Sequence, residues 1–425
     1  MLTWHDRRMA FSSATPASSP VTAPDDSEVT WSVQQQLEFF RGEEFAGLVF
    51  AALGTSLGAL SVLAEHHRPG AGVSVVVEAT PSGGVPIHLG ATTEDLGDAP
   101  EHVATLESGG DKVWMWLHPF DPRLPGLATA SVPAQVERLW FPGQLVELET
   151  LAYRPLRRAV LMATADDGRS AYIKVLHRGA EELRTKHELL EAAGVPVPRL
   201  LAPLATPPSA DLVATLPATG RSVAQALVDG EDNPVGATEL LRVLEAFPPE
   251  LLSMPRRVPW AERAHEHGQA AGVAFPQHAA RIATLSSAIA HRIAAEPAGR
   301  EVPTHGDLYE ANVFVRAGAV TALLDLDSAG PGHRVDDLAC FLAHLAVLPQ
   351  LDDAYANVPA YLTSLVAPFE RDAVAQGTTP AALWARTAGV VLSLVAGVAD
   401  EAHADPERVA WQRIELAASL LDRAR

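Results

Sequence analysis

The sequence predicts an α+β protein in which a β-rich segment precedes a mostly helical one. Three observations carry this expectation. Residues 145–176 hold three short apolar runs punctuated by turn signals, the pattern of a small antiparallel sheet. From residue 222 onward the apolar spacing is helical over most of the chain. Within that helical part, residues 303–338 form a polar loop followed by two short strands. At 425 residues the chain exceeds one ordinary core, so two or three domains are expected.

Composition narrows the function classes. Hydrophobic residues at 48% and charged residues at 20% describe a globular chain. The net charge of −20, from 32 basic and 52 acidic residues, argues against nucleic acid or an anionic membrane as partner. It permits a cationic substrate, although many soluble proteins are acidic without one. Cys340 is the single cysteine, in an apolar run, so a buried inert thiol and a reducing, cytoplasmic setting are expected. No apolar run follows Arg7 and Arg8, which argues against a signal peptide. Residues 45–64 lack charge but carry several Gly, Ser and Thr, and read as buried helix or strand rather than a membrane span.

Taken in order, residues 1–28 are rich in Ser, Thr, Ala and Pro and read as a disordered tail. Residues 29–130 read as a separate α+β unit, with a helix from Val33 to Phe40 and strands at 73–78 and 113–117. Gly54-Thr55-Ser56-Leu57-Gly58 fits the G-x-S-x-G pattern of a hydrolase nucleophile elbow, which requires a strand before it and a helix after it. No parallel α/β repeat follows, so the motif reads as part of a Gly/Ala/Ser-rich stretch.

Residues 131–216 read as a β-rich lobe. Strands are expected at 145–151, 159–164 and 171–176, with Asp166-Asp167-Gly168 turning between the last two. A helix at 180–193 ends at Gly194 and Pro196, and a strand at 212–216 follows. Arg157 and Arg158, between the first two strands, are either charge-assisted phosphate donors or a surface pair. Residues 217–425 form the mostly helical lobe, with helices expected at 222–228, 238–247, 260–271, 278–295, 336–347, 357–376, 381–402 and 406–425. His265-Glu266-His267 lacks the spacing of a helical metal site and reads as exposed histidines.

The chemistry concentrates at residues 303–338. A polar loop holds His305, Asp307 and Asn312; strands at Val313–Val315 and Val320–Leu324 flank a turn at Gly318, and Asp325 closes the second strand. The hairpin then brings Asp325 back beside the loop. An amide and a carboxylate, Asn312 and Asp325, are the hard oxygen ligands that Mg²⁺ takes, completed by water and nucleotide phosphates. Asp307 remains to receive a hydroxyl proton.

The spacing His305, Asp307, Asn312, Asp325 resembles the catalytic segment of the aminoglycoside phosphotransferase and choline kinase superfamily. The resemblance covers residues 131–425 and implies a protein-kinase-like two-lobed fold with ATP and Mg²⁺ as cofactors. By that resemblance Asp307 is the catalytic base and His305 braces its loop, while Lys174 contacts the α- and β-phosphates. A helix glutamate pairs with Lys174, with Glu188 favoured over Glu182 and Glu181. The backbone of Leu216–Ala218 meets the adenine, and Arg158 is a further phosphate candidate. Asp337 orders the loop or caps its helix.

The extra N-terminal unit looks like the cap domain of the actinobacterial maltokinase and glucosamine kinase group. Tyr309-Glu310-Ala311 and the run from Asp325 to Gly332 are also similar to that group, although Asn312, Leu326 and Asp327 depart from the maltokinase pattern. The acceptor implied is a sugar hydroxyl, with glucosamine first and an aminoglycoside antibiotic second; a pseudokinase binding module is the non-enzyme alternative. Asp337, His344, Trp411 and Glu415 are the candidate acceptor contacts. Trp411 and Glu415 are i, i+4 neighbours, which suits a sugar ring bearing an amine, or equally a packed indole beside an exposed carboxylate.

Overall fold

The computed structural model of the protein describes residues 31–56, 58–68, 72–98, 100, 102–108, 111–399 and 405–424. The expected tail at residues 1–28 lies outside the described residues. The chain divides into two compact units, one of residues up to 181 with 201–215, the other of residues 182–200 with 216–425.

The first unit opens with α1 (Val33–Arg41) and α2 (Glu43–Ala52). A capping box between Ser32 and Gln35 starts α1 by satisfying otherwise orphaned backbone N–H groups. An antiparallel sheet follows: β1 (Ala59–Arg68), β2 (Gly72–Thr80), β3 (Ile87–Thr92), β4 (Val103–Ser108) and β5 (Asp111–Leu117), in the order β1-β2-β3-β5-β4. Val73, Val75 and Val77 alternate inward from β2 and meet Phe40, Phe45 and Phe50 of the two helices. The G-x-S-x-G stretch lies after a helix and before a strand, the reverse of the order an elbow needs, which removes the hydrolase reading.

The same unit continues through α3 (Pro125–Ala130) and α4 (Pro133–Trp140) into a second antiparallel sheet. Its strands are β6 (Val146–Arg154), β7 (Arg158–Ala165), β8 (Ser170–Leu176) and β9 (Leu212–Thr215), in sequential order. Leu161, Ile173 and Val175 pack with Leu127, Leu139 and Trp140. A buried carboxylate ties the two sheets together. Asp121 accepts the Tyr153 hydroxyl (2.8 Å) and the Leu156 N–H (2.8 Å), and Tyr153 in turn accepts the Trp116 indole N–H (2.9 Å). Leu156 stands in the left-handed region, φ 64°, so the β6–β7 turn is held in a conformation that a non-glycine residue adopts only at a cost. Residues 29–130 and the second sheet thus fall in one compact unit.

The second unit takes α5 (Ala180–Ala192) from Glu182 onward, then β10 (Arg221–Ser222), α6 (Val223–Val228), α7 (Ala237–Glu245), α8 (Ala264–Ala274) and α9 (Ala279–Ala295). Next come β11 (Glu301–Thr304), β12 (Val313–Arg316), β13 (Ala319–Leu323), β14 (Gly330–His333) and α10 (Arg334–Val347), followed by α11 (Val358–Ala375), α12 (Pro380–Ser393) and α13 (Pro406–Asp422). α12 is buried on every side from Ala382 to Leu392, packed by α8, α9, α10 and α13. Among the described residues, one stretch, Pro380–Ala399, is long and apolar enough to cross a membrane, and 72% of it is buried within the fold. The helix expected at 260–271 is divided: Trp260–Arg263 is a 3₁₀ turn and α8 begins at Ala264.

Candidate active site

The loop between β11 and β12 is held from behind by α10. Asp337, in the first turn of that helix, accepts the backbone N–H of His305 (2.9 Å) and of Gly306 (2.8 Å). Burial raises the Asp337 carboxyl to about 6, against the pull of those two bonds. Its side chain is 1% exposed, so it orders the loop and is not an acceptor contact. Gly306 sits at φ 80°, and a Cβ there would stand 2.6 Å from the Ser328 carbonyl oxygen. Only glycine fits, both by conformation and by space.

His305 is fully buried and bridges the loop to the hairpin. Its Nε2 lies 2.8 Å from the Leu324 carbonyl, and its Nδ1 accepts the Asp307 N–H at 3.3 Å. One nitrogen donates and the other accepts, which assigns the neutral Nε2–H tautomer. Burial lowers its pKa to about 4, consistent with that assignment. Asn312 donates Nδ2–H to the Asp307 carbonyl (3.1 Å), which leaves Oδ1 as the acceptor of its amide. The Leu324 N–H donates to the Asn312 carbonyl (2.8 Å), and the next residue, Asp325, turns into the left-handed region at φ 56°, ψ 57°. Asp307, Asn312 and Asp325 are therefore fixed at one end of the β12–β13 hairpin.

Three further side chains belong to this site. The Trp260 indole donates Nε1–H to Asp307 Oδ1 at 3.1 Å, while the Arg263 guanidinium lies 4.6 Å from its ring and the His267 ring stacks on it at 5.7 Å. Trp260→Phe keeps the ring and removes the N–H. Steady-state kinetics should show kcat lowered about tenfold with KM for ATP unchanged, the scale of one hydrogen bond to a charged group. Lys186 is wholly buried on α5, paired with Glu182 (2.6 Å) and donating to the Asp327 carbonyl (2.8 Å). It thereby fastens α5 to the segment that carries Asp325.

Glu310 is the third, with a buried Oε2 that has no hydrogen-bond partner. Burial raises its carboxyl to about 7. The unfolded chain ionises this group from its ordinary value of 4.5, so stability falls as pH climbs from 4.5 to 7 and the deficit is complete above 7. Glu310→Gln removes the deficit. Thermal unfolding should show the variant more stable at pH 8, on the order of 2–3 kcal/mol, and little changed below pH 4.5. An unchanged gap across that range would contradict the assignment.

The family model of the phosphotransferase enzyme family matches residues 158–373, just over half of the 425. The chain belongs to that family. No curated protein matches it. Distant structural likenesses include a thermostable mutant of aminoglycoside phosphotransferase APH(4)-Ia with AMP-PNP and hygromycin B, 16% identical, covering 65% of this chain and 94% of its own, TM-score 0.46. Amicoumacin kinase hAmiN with AMP-PNP, Ca²⁺ and Ami is 14% identical, covering 67% and 92%, TM-score 0.47. A choline/ethanolamine kinase family protein from Mesorhizobium loti is 14% identical, covering 70% and 96%, TM-score 0.42.

The remaining candidates in this phosphotransferase divide by position. Lys174 lies on β8, paired in register with Val160 and Val213. Glu188 is exposed and, among the described residues, makes no ion pair. On α5 it stands two residues from Lys186 and so points to a different side of the helix, while Glu182 is held by Lys186. Arg157 pairs with Glu94 at 2.9 Å, and Arg158 opens β7 opposite Arg154. The Leu216 N–H is taken by the Arg199 carbonyl (2.9 Å), leaving the Leu216 carbonyl and the Ala218 N–H as the groups of that segment for a ligand edge.

The acceptor candidates do not gather. His344 stacks on Tyr309 with ring centroids 4.5 Å apart, and burial lowers it to about 4, so it is a neutral packing partner of the loop. Trp411 packs on His278 (5.0 Å), and Glu415 pairs with Arg281 (3.1 Å). Both are engaged by α9 and the turn before it, so the amine-binding reading of that pair loses its carboxylate.

Proposed function

We propose that this phosphotransferase moves the γ-phosphoryl group of ATP to a hydroxyl of a small polyhydroxylated acceptor. The observation that supports this most is the fixed set of Asp307 and Asn312, on a loop braced by His305 and Asp337, with Asp325 beyond the end of β13. Phosphoryl transfer asks mainly for alignment and charge neutralisation, which a small rigid constellation supplies. Asp307 orients the acceptor hydroxyl and takes its proton. The hydroxyl oxygen forms a bond to the γ-phosphorus as the bond to the β,γ-bridging oxygen breaks, and ADP leaves with that electron pair.

Among the described residues no three His, Cys, Asp or Glu side chains form a closed metal cluster. An open pair of hard oxygen donors is what a nucleotide-borne Mg²⁺ requires, and Asn312 Oδ1 and the Asp325 carboxylate fit it. The chemistry supplied by such an ion is neutralisation of charge on the phosphates. The phosphate contact of Lys174 rests on the resemblance alone, and the Leu216 carbonyl with the Ala218 N–H suits an adenine edge.

Glucosamine and an aminoglycoside are the acceptors nominated by the sequence, supported by the chain's −20 charge. With Glu415 paired to Arg281, neither has a dedicated carboxylate at Trp411. Incubation with Mg·ATP and each acceptor, followed by phosphorus NMR of the product, tests the reading. A phosphate monoester on a hydroxyl is expected. Inorganic phosphate alone, at a rate indifferent to acceptor, would contradict it.

A further inference from the structure

A cavity of about 300 Å³ opens beside the catalytic loop, and its walls include Gly306, Trp260, Arg257, Arg263 and Asp336. Trp260 joins the cavity to the chemistry, because the indole that lines it also donates to Asp307. The volume suits a monosaccharide-sized molecule rather than an extended oligosaccharide.

The charges of this cavity are unbalanced. Asp336 is matched by the buried Arg386 at 2.9 Å, which also reaches Glu262 at 3.4 Å, and Glu262 further meets Arg256 at 3.3 Å. The Asp336 and Glu262 carboxylates therefore already have cationic partners. Arg263 has none: among the described residues it makes no ion pair, its Nε is buried without a hydrogen-bond partner, and its contact is the face of Trp260. Arg257 has one distant carboxylate, Glu182 at 4.0 Å, which Lys186 holds at 2.6 Å. A half-buried guanidinium without a counter-charge is costly, and it is the group best shaped to take an anion through two parallel N–H bonds. The surplus is local and runs against the net charge of −20.

We infer that the acceptor of this phosphotransferase carries an anionic group, a carboxylate or a phosphate, which Arg263 and Arg257 hold while one of its hydroxyls faces Asp307. The inference rests on the phosphoryl-transfer reading above and names its substrate class. It sets aside polycationic aminoglycosides, since both guanidiniums would repel an ammonium group at the cavity wall.

The test compares D-glucose, D-glucosamine, D-glucuronate and glucose 1-phosphate as acceptors for the full-length protein, by ADP release. The four share a ring and differ in charge, and the last two separate the carboxylate from the phosphate source. An anionic member should show the highest kcat/KM. Arg263→Gln should lower the ratio of anionic to neutral kcat/KM at least about tenfold, with partial recovery in Arg263→Lys. Arg257→Gln, at a more exposed position, gives the same readout should the first variant fold poorly. The highest value on glucosamine, or a ratio unmoved by both substitutions, would overturn the inference. Should no acceptor turn over, calorimetric binding of glucuronate and glucose 1-phosphate without nucleotide decides: binding lost in Arg263→Gln supports it, and no binding overturns it. The phosphoryl-transfer reading fails separately, through ADP release that is indifferent to Asp307→Asn.

Discussion

Asp307→Asn should lower kcat by about 10²–10⁴ while leaving the fold and ATP binding intact. The substitution conserves size and the Trp260 contact can still form, since an amide oxygen accepts the indole N–H. What is lost is the ability to take a proton from the acceptor hydroxyl. Thermal unfolding and nucleotide titration should match the wild type, so the loss appears in turnover alone. Retention of wild-type kcat would remove Asp307 from the role of base.

The second large effect belongs to Asp337. Asp337→Ala leaves the His305 and Gly306 N–H groups buried without acceptors, at roughly 1–3 kcal/mol each. Asp337→Asn recovers little, because its amide has one acceptor oxygen for two backbone donors. Both variants should unfold at lower temperature, by roughly 2–4 °C per kcal/mol for a unit of this size, and should lose kcat in parallel as the loop loosens. Activity retained at full rate in a destabilised protein would show that the loop keeps its geometry without this clamp.

The β12–β13 hairpin was legible because its information is local. The interval from His305 to Asn312, the turn at Gly318 and the return to Asp325 are joined by the pairing of β12 with β13, which sets Val313 opposite Leu323 and, across a bulge after Phe314, Val315 opposite Val320. Asp337 was legible as an ordering residue but not as a buried one, since its partners are backbone N–H groups that leave no mark in sequence. Trp260 was invisible: it lies 47 residues upstream, in a stretch whose spacing reads as helix, and its function depends on the 3₁₀ turn that ends before α8. Lys186 had the form of an ordinary surface i, i+4 pair with Glu182, and only tertiary burial distinguishes it. Glu188 stands fourteen residues beyond Lys174, a distance blind to helical phase, and that phase places it in solvent. Trp411 and Glu415 do share a face, but the residues that occupy them, His278 and Arg281, come from more than 130 positions earlier. β14 carries Gly330, Pro331 and Gly332, which no propensity marks as strand; it pairs with β11 and runs directly into α10 at Arg334.

Phosphoryl transfer that depends on both acceptor and metal can be measured in a coupled ADP-release assay. The full-length protein with ATP is presented with glucosamine, glucose, maltose, choline, several aminoglycosides and the anionic sugars named above, with and without a Mg²⁺ chelator. ADP release should rise with one acceptor class and be abolished by the chelator. ATP binding with no acceptor-dependent release under any condition would contradict it and leave a nucleotide-binding pseudokinase.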